Sequence, residues 1–301
     1  MKDRITRFTS SHPFLSSFLS VLVFMFLFIP LVSLITVYYA EDIENLNLIK
    51  PNLCLIAVQT VISALMFVWM RLTGCYNPGD FRLKGIGRGL LLGWLGLLYA
   101  VALSIIALLS VPVEHFVVPK LLPIIIVVLQ TILVGVFEEF MMRGMALNLL
   151  LKRKGGNKKT LGAVLLSSLF FGAAHLSNIE SSKDVFPVIL QVIYASMIGV
   201  YFAALYLRSK SLLVPIILHG LFDFSDFLLP VILSPEGLKA FSEQTTGVAI
   251  LSHSFLSVLL TLPFLFVGIW MLRKYDDPMV VPKVALTQHS EEPTGSLHST
   301  D

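Results

Sequence analysis

Long uncharged apolar stretches recur along nearly the whole chain. A helix needs about 20 apolar residues, rising 1.5 Å each, to cross the ~30 Å hydrocarbon core of a membrane. Hydrophobic residues make up 56% of the sequence and charged residues 14%, unlike a soluble domain. Spans are predicted near residues 14–39, 51–70, 89–113, 121–142, 160–179, 185–207, 211–230 and 247–272. The expected fold is all-α, a polytopic membrane helical bundle of about eight transmembrane helices.

The positions of Lys and Arg test this number and give an orientation, because these residues collect in cytoplasmic loops. With both termini in the cytoplasm, 18 of the 22 basic residues fall on the inner side. Because polar residues lie inside the fourth and fifth spans, a count of seven transmembrane helices is the alternative. Removing one span would mix the two sides, however, so the charge pattern favours eight. We expect an integral membrane protein with both termini cytoplasmic, in the bacterial cytoplasmic membrane.

One membrane domain is expected, with polar segments on either side. Its boundaries are 14–272, after a cytoplasmic N-terminal segment at 1–13 and before a cytoplasmic tail at 273–301. Pro, Ser, Thr, Glu and His replace apolar residues in the tail, which is therefore expected to be disordered. The basic residues form no patch interleaved with aromatic residues, so we exclude nucleic-acid binding. Nothing in the sequence sets the oligomeric state.

Few ionisable residues interrupt the spans, and burying one costs several kcal/mol, so each marks a candidate functional site. They are Glu138, Glu139 and Arg143 on the fourth span, His175 on the fifth, His219, Asp223 and Asp226 on the seventh, and His253 on the eighth. Counted from the basic loops, Glu138 lies at ~21 Å, His175 at ~24 Å and His219 at ~14 Å. Helix tilt can bring these levels together. Helices four, five and seven are therefore expected to form one site.

Spacing within each helix predicts which side chains share a face. Glu139 and Arg143 are four residues apart and are expected to pair locally, which leaves Glu138, about 100° away, for another partner. Two further stripes are His219, Asp223 and Asp226 on the seventh helix, and Phe171, His175 and Asn178 on the fifth.

A carboxylate and two imidazoles on separate helices suit hydrolysis. The carboxylate can take a proton from water, while the imidazoles orient that water or bind a metal that acidifies it. Zinc is a candidate cofactor, with His175, His219 and Glu138 as candidate ligands, and no organic cofactor is expected. Two other classes stay open: a proton-coupled transporter with a polar relay, and a non-catalytic membrane immunity or adaptor protein.

Three motifs carry a family resemblance. Residues 138–143 fit Glu-Glu-x-x-x-Arg, residues 171–175 fit Phe-x-x-x-His, and residues 219–223 fit His-x-x-x-Asn/Asp. Over about residues 120–230, this set resembles the intramembrane proteases related to the type II CAAX prenyl endopeptidase (the CPBP or Abi family). That family includes prenyl-protein endopeptidases and proteins linked to bacteriocin self-immunity.

The resemblance implies an intramembrane endopeptidase, surrounded by lipid, that cleaves a membrane-associated peptide or protein. In it, Glu138 would activate water, and His175, His219 and Asp223 would complete the catalytic site. Supporting roles fall to Glu139, Arg143, Phe171 and Asn178. Asp223 departs from the Asn of the prenyl endopeptidases, so a prenylated substrate does not follow. We expect the cavity to open toward the cytoplasmic side.

Overall fold

A computed structural model describes residues 2–44, 47–109, 111–152, 157–179, 184–244 and 247–273. The helices in chain order are α1 (Lys2–Ser11), α2 (Pro13–Tyr38), α3 (Ala40–Glu44), α4 (Ile49–Thr73), α5 (Ile86–Leu92), α6 (Trp94–Leu109), α7 (Leu121–Leu151), α8 (Asn157–Ala174), α9 (Val185–Ser209), α10 (Leu213–Ile232), α11 (Pro235–Gln244) and α12 (Gly247–Leu272). Short 3-10 turns occur at Pro78–Phe81, Val113–His115 and His175–Ile179. No strand occurs among these residues, which confirms the all-α prediction.

Six of the described helices are long and apolar enough to cross a membrane: α2, α4, α7, α8 with its 3-10 end, α9 and α12. A seventh crossing results if α5 and α6, which meet at an angle of 71°, form one broken span. The apolar stretch found in α10, Leu213–Phe224, is shorter than a span. The helical membrane bundle is therefore confirmed, whereas the predicted count of eight is not.

Some sequence predictions fall on parts of the chain that the structure leaves undescribed. The predicted tail at 273–301 lies outside the described residues except for Arg273. The side chains of Asp226 and His253 also lie outside them. The expectations for these residues stay predictions.

Hydrogen bonds gather the basic residues at one end of the bundle, which we call the basic end. Lys152, just after α7, donates to Thr9 Oγ1 at 2.9 Å and to the carbonyl of Thr73, so it joins α1, α4 and α7. Arg208 near the end of α9 donates to the carbonyl of Arg273 at 3.0 Å, next to the end of α12. Chain segments that the charge pattern assigned to one side therefore meet in space.

The 3-10 turn Pro78–Phe81 docks into this end through the buried carboxyl of Asp80. Tyr206 on α9 donates to Asp80 Oδ1 at 3.1 Å, and the Tyr206 hydroxyl accepts a hydrogen bond of 2.9 Å from Asn148 on α7. The amide of Leu212 donates to the Asp80 carbonyl at 2.8 Å. Burial raises the pKa of Asp80 to about 6, because it disfavours the charged form more than the Tyr206 hydrogen bond favours it.

Replacing Asp80 by Asn is expected to remove a pH dependence of stability. The Asp80 carboxyl has a pKa of about 6 when folded against 3.8 ordinarily, so its contribution is fully present below about pH 4 and is lost as the pH rises through 6. The carboxamide of the Asp80→Asn variant stays neutral and keeps an oxygen for Tyr206. At pH 8 the variant should be more stable by about 2–3 kcal/mol, measured by unfolding in detergent at pH 4 and pH 8.

The matched control for this prediction is Asp3→Asn, because Asp3 is an exposed carboxyl on α1. Its stability should follow that of the parent at both pH values. An Asp80→Asn protein that loses stability between pH 4 and pH 8 as steeply as the parent would contradict the prediction.

Helices α7 and α10 approach each other at two glycines. A Cβ atom on Gly135 would lie 2.7 Å from the carbonyl oxygen of Ile216, and one on Gly220 would lie 3.0 Å from the carbonyl oxygen of Thr131. Both distances are too short for a side chain, so the two backbones touch directly. Small residues at such crossings let membrane helices pack closely. This crossing places Glu138 and His219, one turn or less away, beside each other.

Candidate active site

The fourth predicted span, α7, changes its winding at the site. It is α-helical over Leu121–Glu139, becomes a π-helix over Phe140–Leu147 and ends with an α-helical turn at Asn148–Leu151. Glu138 and Glu139 stand directly before the wider turns. Short π-helical stretches inside α-helices are frequent at functional sites. The helix continues to Leu151, beyond the predicted span of 121–142, and the sequence analysis did not predict the π-helix.

Glu139 and Arg143 form the ion pair that their spacing predicted. Arg143 Nη1 donates to Glu139 Oε1 at 2.7 Å, and both side chains are almost completely buried. The guanidinium also donates from Nη2 to the carbonyl of Gly199 on α9 at 2.9 Å. It lies over the rings of Phe171 and Phe202, at 5.0 and 5.6 Å from their centroids. A charge held between two aromatic faces and a carboxylate can remain ionised inside the bundle.

The two adjacent glutamates contact opposite nitrogens of one imidazole. His219 Nδ1 lies 2.9 Å from Glu139 Oε1, and His219 Nε2 lies 3.3 Å from Glu138 Oε2. Because Glu139 is ionised against Arg143 and can only accept, His219 Nδ1 carries the proton of that hydrogen bond. Glu139 is therefore more than a helix-local partner of Arg143, and both glutamates, not only Glu138, meet the seventh predicted span.

Asp223 lies one turn beyond His219 on α10. Its Oδ2 is 3.8 Å from His219 Nε2, the nitrogen that also faces Glu138. The family resemblance implied that Asp223 completes the catalytic site with the two histidines. The structure places this carboxylate next to His219 and in the wall of the same cavity as Glu138.

His175 stands where the α-helix α8 gives way to the 3-10 turn His175–Ile179. Its Nδ1 lies 3.0 Å from the carbonyl oxygen of Phe171, which can only accept, so Nδ1 is the protonated nitrogen of the ring. Phe171 packs edge-on against His175 and His219, with ring centroids 5.1 and 5.8 Å apart. Asn178 donates to Gln191 Oε1 at 2.9 Å. Phe171 thus connects the two histidines through ring contacts.

A cavity of about 430 Å³ borders Glu138, His175 and Asp223. Its walls come from α2, α4, α7, α8, α9 and α10, and they are largely apolar. Helices four, five and seven of the prediction carry the ionisable residues, and the other three helices complete the enclosure. His219 is buried behind Glu138 and is not part of the wall.

The cavity extends away from the basic end. Its walls include Gln59 from the first half of α4, which ends near Arg71, and Gln191 from the first half of α9, which ends near Arg208. This differs from our expectation of a cavity that opens toward the cytoplasmic, basic side. The depths counted along the sequence could not show the difference, because they gave a level for each residue but not the direction of the space around it.

The predicted zinc ligands can be tested for fit. Two ligand atoms about 2.0–2.1 Å from a tetrahedral zinc ion stand about 3.3 Å apart. The contact between His219 Nε2 and Glu138 Oε2 has this spacing. Among the described residues, however, no group of three or more His, Cys, Asp or Glu side chains is placed to hold a metal ion. The residues as arranged offer two ligands and do not complete a site with His175.

Comparison with known protein families identifies the region that holds this constellation. Residues 120–225 match the family model described as type II CAAX prenyl endopeptidase Rce1-like. This region of the chain is similar to an Rce1-like domain. It covers about a third of the 301 residues and includes Glu138, His175, His219 and Asp223. No curated protein and no solved structure is detectably similar to the chain.

The Rce1-like match confirms the recognised family and supports an intramembrane protease of the CAAX type in general. Several residues around the site were missed by the sequence analysis: Gly199 and Phe202, which hold Arg143, and the amides Gln59, Gln130 and Gln191 in the cavity wall. Gly199 and Phe202 carry no signal in a single sequence. The three glutamines had one, because a polar amide within an apolar span needs a partner.

Proposed function

We propose that this protein hydrolyses a peptide bond of a membrane-associated protein or peptide, with Glu138 as the base that activates water. The observation that carries the proposal is the position of Glu138 between His219, 3.3 Å behind it, and the cavity in front of it. The Rce1-like match supports a protease of this general kind. The catalytic roles below are part of the proposal.

A single proton makes the contact between Glu138 and His219 favourable. With none, the lone pairs of Oε2 and Nε2 would face each other, and with one the pair is either imidazolium with carboxylate or imidazole with carboxylic acid. Before reaction the proton lies on His219, and Glu138 is the carboxylate. The ion pair of Glu139 with Arg143 fixes the orientation of the imidazole through Nδ1.

In the proposed reaction, Glu138 takes a proton from a water molecule in the cavity as the water oxygen attacks the carbonyl carbon of the substrate. A C–O bond forms, and the carbonyl electron pair moves to oxygen, where the polarised pair of His219 and Glu138 offsets the developing charge. The C–N bond then breaks, and the proton on Glu138 passes to the leaving amine nitrogen. The carboxylate is thereby regenerated.

Zinc assistance is the second form of the same proposal. Bound between His219 and Glu138, a zinc ion would polarise the substrate carbonyl or acidify a water molecule. The described residues supply two ligands only, so the steps above are derived from the side chains alone. Metal content of active, purified protein distinguishes the two forms.

The membrane orientation is also part of the proposal. The positive-inside rule puts the basic end, and with it both termini, in the cytoplasm, and we propose the bacterial cytoplasmic membrane as the location. Because the cavity extends away from the basic end, the proposed substrate reaches Glu138 from the opposite half of the bilayer.

The test is cleavage of membrane-inserted peptides by the purified protein in lipid vesicles, with products identified by mass spectrometry and metal measured in the same sample. We expect cleavage by the parent protein and a loss of at least 10²-fold in His219→Ala, since Glu138 loses its proton partner. Undiminished cleavage by His219→Ala would contradict the proposal. Stoichiometric zinc that is lost in this variant would favour the metal-assisted form.

A further inference from the structure

The charges around the cavity restrict what can enter it. Two carboxylates, Glu138 and Asp223, and one imidazole, His175, belong to its wall, but neither Lys nor Arg does among the described residues. The buried cation nearest in sequence, Arg143, is already committed to Glu139 and the carbonyl of Gly199. A ligand carboxylate placed beside Glu138 would face the like charge of Glu138 and Asp223 and would find no Lys or Arg partner among the described wall residues.

The other polar groups in the wall are side-chain amides arranged in two pairs. Gln130 Nε2 on α7 donates to Gln59 Oε1 on α4 at 3.2 Å, and both residues are at least nine-tenths buried. Elsewhere in the wall, Asn178 donates to Gln191 Oε1 at 2.9 Å. Amides carry both donors and acceptors, as a peptide main chain does.

The hydrogen bond between Gln59 and Gln130 leaves one buried polar atom of the pair without a hydrogen-bond partner. Gln130 Oε1 is buried and has no hydrogen-bond partner among the described residues. Leaving such an acceptor without a partner costs about as much as a lost hydrogen bond, and native proteins rarely do so without a reason. Exchanging the oxygen and nitrogen positions of both amides turns the unpaired acceptor into an unpaired donor, so one buried polar atom lacks a partner in either assignment. A peptide main chain, which offers both N–H and C=O groups, would satisfy it in either case.

The distance from this pair to Glu138 suits a peptide. Gln130 and Glu138 are eight residues apart on α7, ~12 Å along the axis, and both belong to the cavity wall. An extended chain advances about 3.3 Å per residue, so a main chain held at Gln130 reaches Glu138 about three to four residues later.

We propose that the amide pair of Gln59 and Gln130 binds the main chain of an internal, uncharged peptide segment three to four residues from the bond that Glu138 attacks. This inference rests on the proposed function and names its substrate class. A terminal carboxylate is disfavoured, since the described residues of the wall include no Lys or Arg to pair with it. Gln59 and Gln130 are positioning residues and take no part in proton transfer.

Binding tests this proposal without hydrolysis. In the Glu138→Gln background, two labelled apolar peptides of one sequence, with a free C-terminal carboxylate or a C-terminal amide, are titrated into protein in lipid nanodiscs. We expect weaker binding of the free acid, because the Asp223 carboxylate remains in the wall of this variant. Adding Gln130→Leu should weaken binding of the amide form roughly three- to tenfold, the usual effect of one or two lost hydrogen bonds.

Two further variants serve as controls for this comparison. Gln59→Leu should repeat the effect of Gln130→Leu, which guards against a local folding defect in either one. Thr60→Val, an exposed neighbour of Gln59 on α4, should leave affinity unchanged. Equal affinities in all variants, no measurable binding of either peptide, or binding of the free acid that is as tight as or tighter than that of the amide would overturn the inference. Cleavage that survives Glu138→Gln would instead overturn the proposed function, whatever the affinities.

Discussion

Replacing Glu138 by Gln is expected to lower kcat/KM for peptide cleavage by roughly 10²- to 10⁴-fold, the usual contribution of a general base. Gln has nearly the same volume and keeps an oxygen toward His219, but it cannot accept a proton from water. The variant should therefore fold, and its melting temperature in detergent should stay close to that of the parent. Cleavage is measured by mass spectrometry on peptides inserted in vesicles.

The matched control for this variant is Glu114→Gln, which makes the same chemical change at an exposed position in the 3-10 turn Val113–His115. We expect full activity in this control. If Glu138→Gln retains activity within fivefold of the parent, Glu138 is not the base, and the proposed mechanism fails even if the protein is a protease.

Replacing Arg143 by Met is expected to cost about 3–5 kcal/mol of stability, the largest loss that we predict for the site. The change leaves Glu139 buried with no cation of fixed charge and leaves the carbonyl of Gly199 without its donor. It also removes the guanidinium from between Phe171 and Phe202. Denaturant unfolding in detergent micelles measures the loss.

A double variant separates the effect of charge from that of packing. Combining Glu139→Gln with Arg143→Met removes both charges and should recover much of the lost stability, because an uncompensated buried charge is the main cost. A loss below 1 kcal/mol in Arg143→Met alone would contradict this account. So would a double variant less stable than the single one.

The spacing of residues predicted contacts within helices better than contacts between them. The ion pair of Glu139 with Arg143 follows from a separation of four residues, and the structure confirms it. The contacts of both glutamates with His219 depend on how α7 crosses α10. An analysis of one helix at a time cannot predict that crossing. The π-helix Phe140–Leu147 was missed for a similar reason, because packing between helices decides such turns and local sequence does not.

The sequence predicted the positions of the helices in the membrane better than the direction in which the cavity extends. Hydropathy located the long helices, and the positions of Lys and Arg predicted which helix ends lie on the same side of the membrane. The contacts of Lys152 and Arg208 agree with that assignment. The direction of the cavity depends on which apolar side chains leave space between helices, and apolar residues in a span look alike in the sequence. Gln59 and Gln130 were the exception that could have been noticed, since they are amides among apolar neighbours.

The direct backbone contact of α7 with α10 makes one wall of the site stiff. Gly135 lies three residues before Glu138, and Gly220 follows His219, so no side chain lies between the backbones to change rotamer and alter their separation. The distance between Glu138 and His219 is therefore set by the main chain. Any widening that admits a substrate has to come from the other helices that line the cavity, such as α2 and α4, and spectroscopic labels on α4 and α7 would report it.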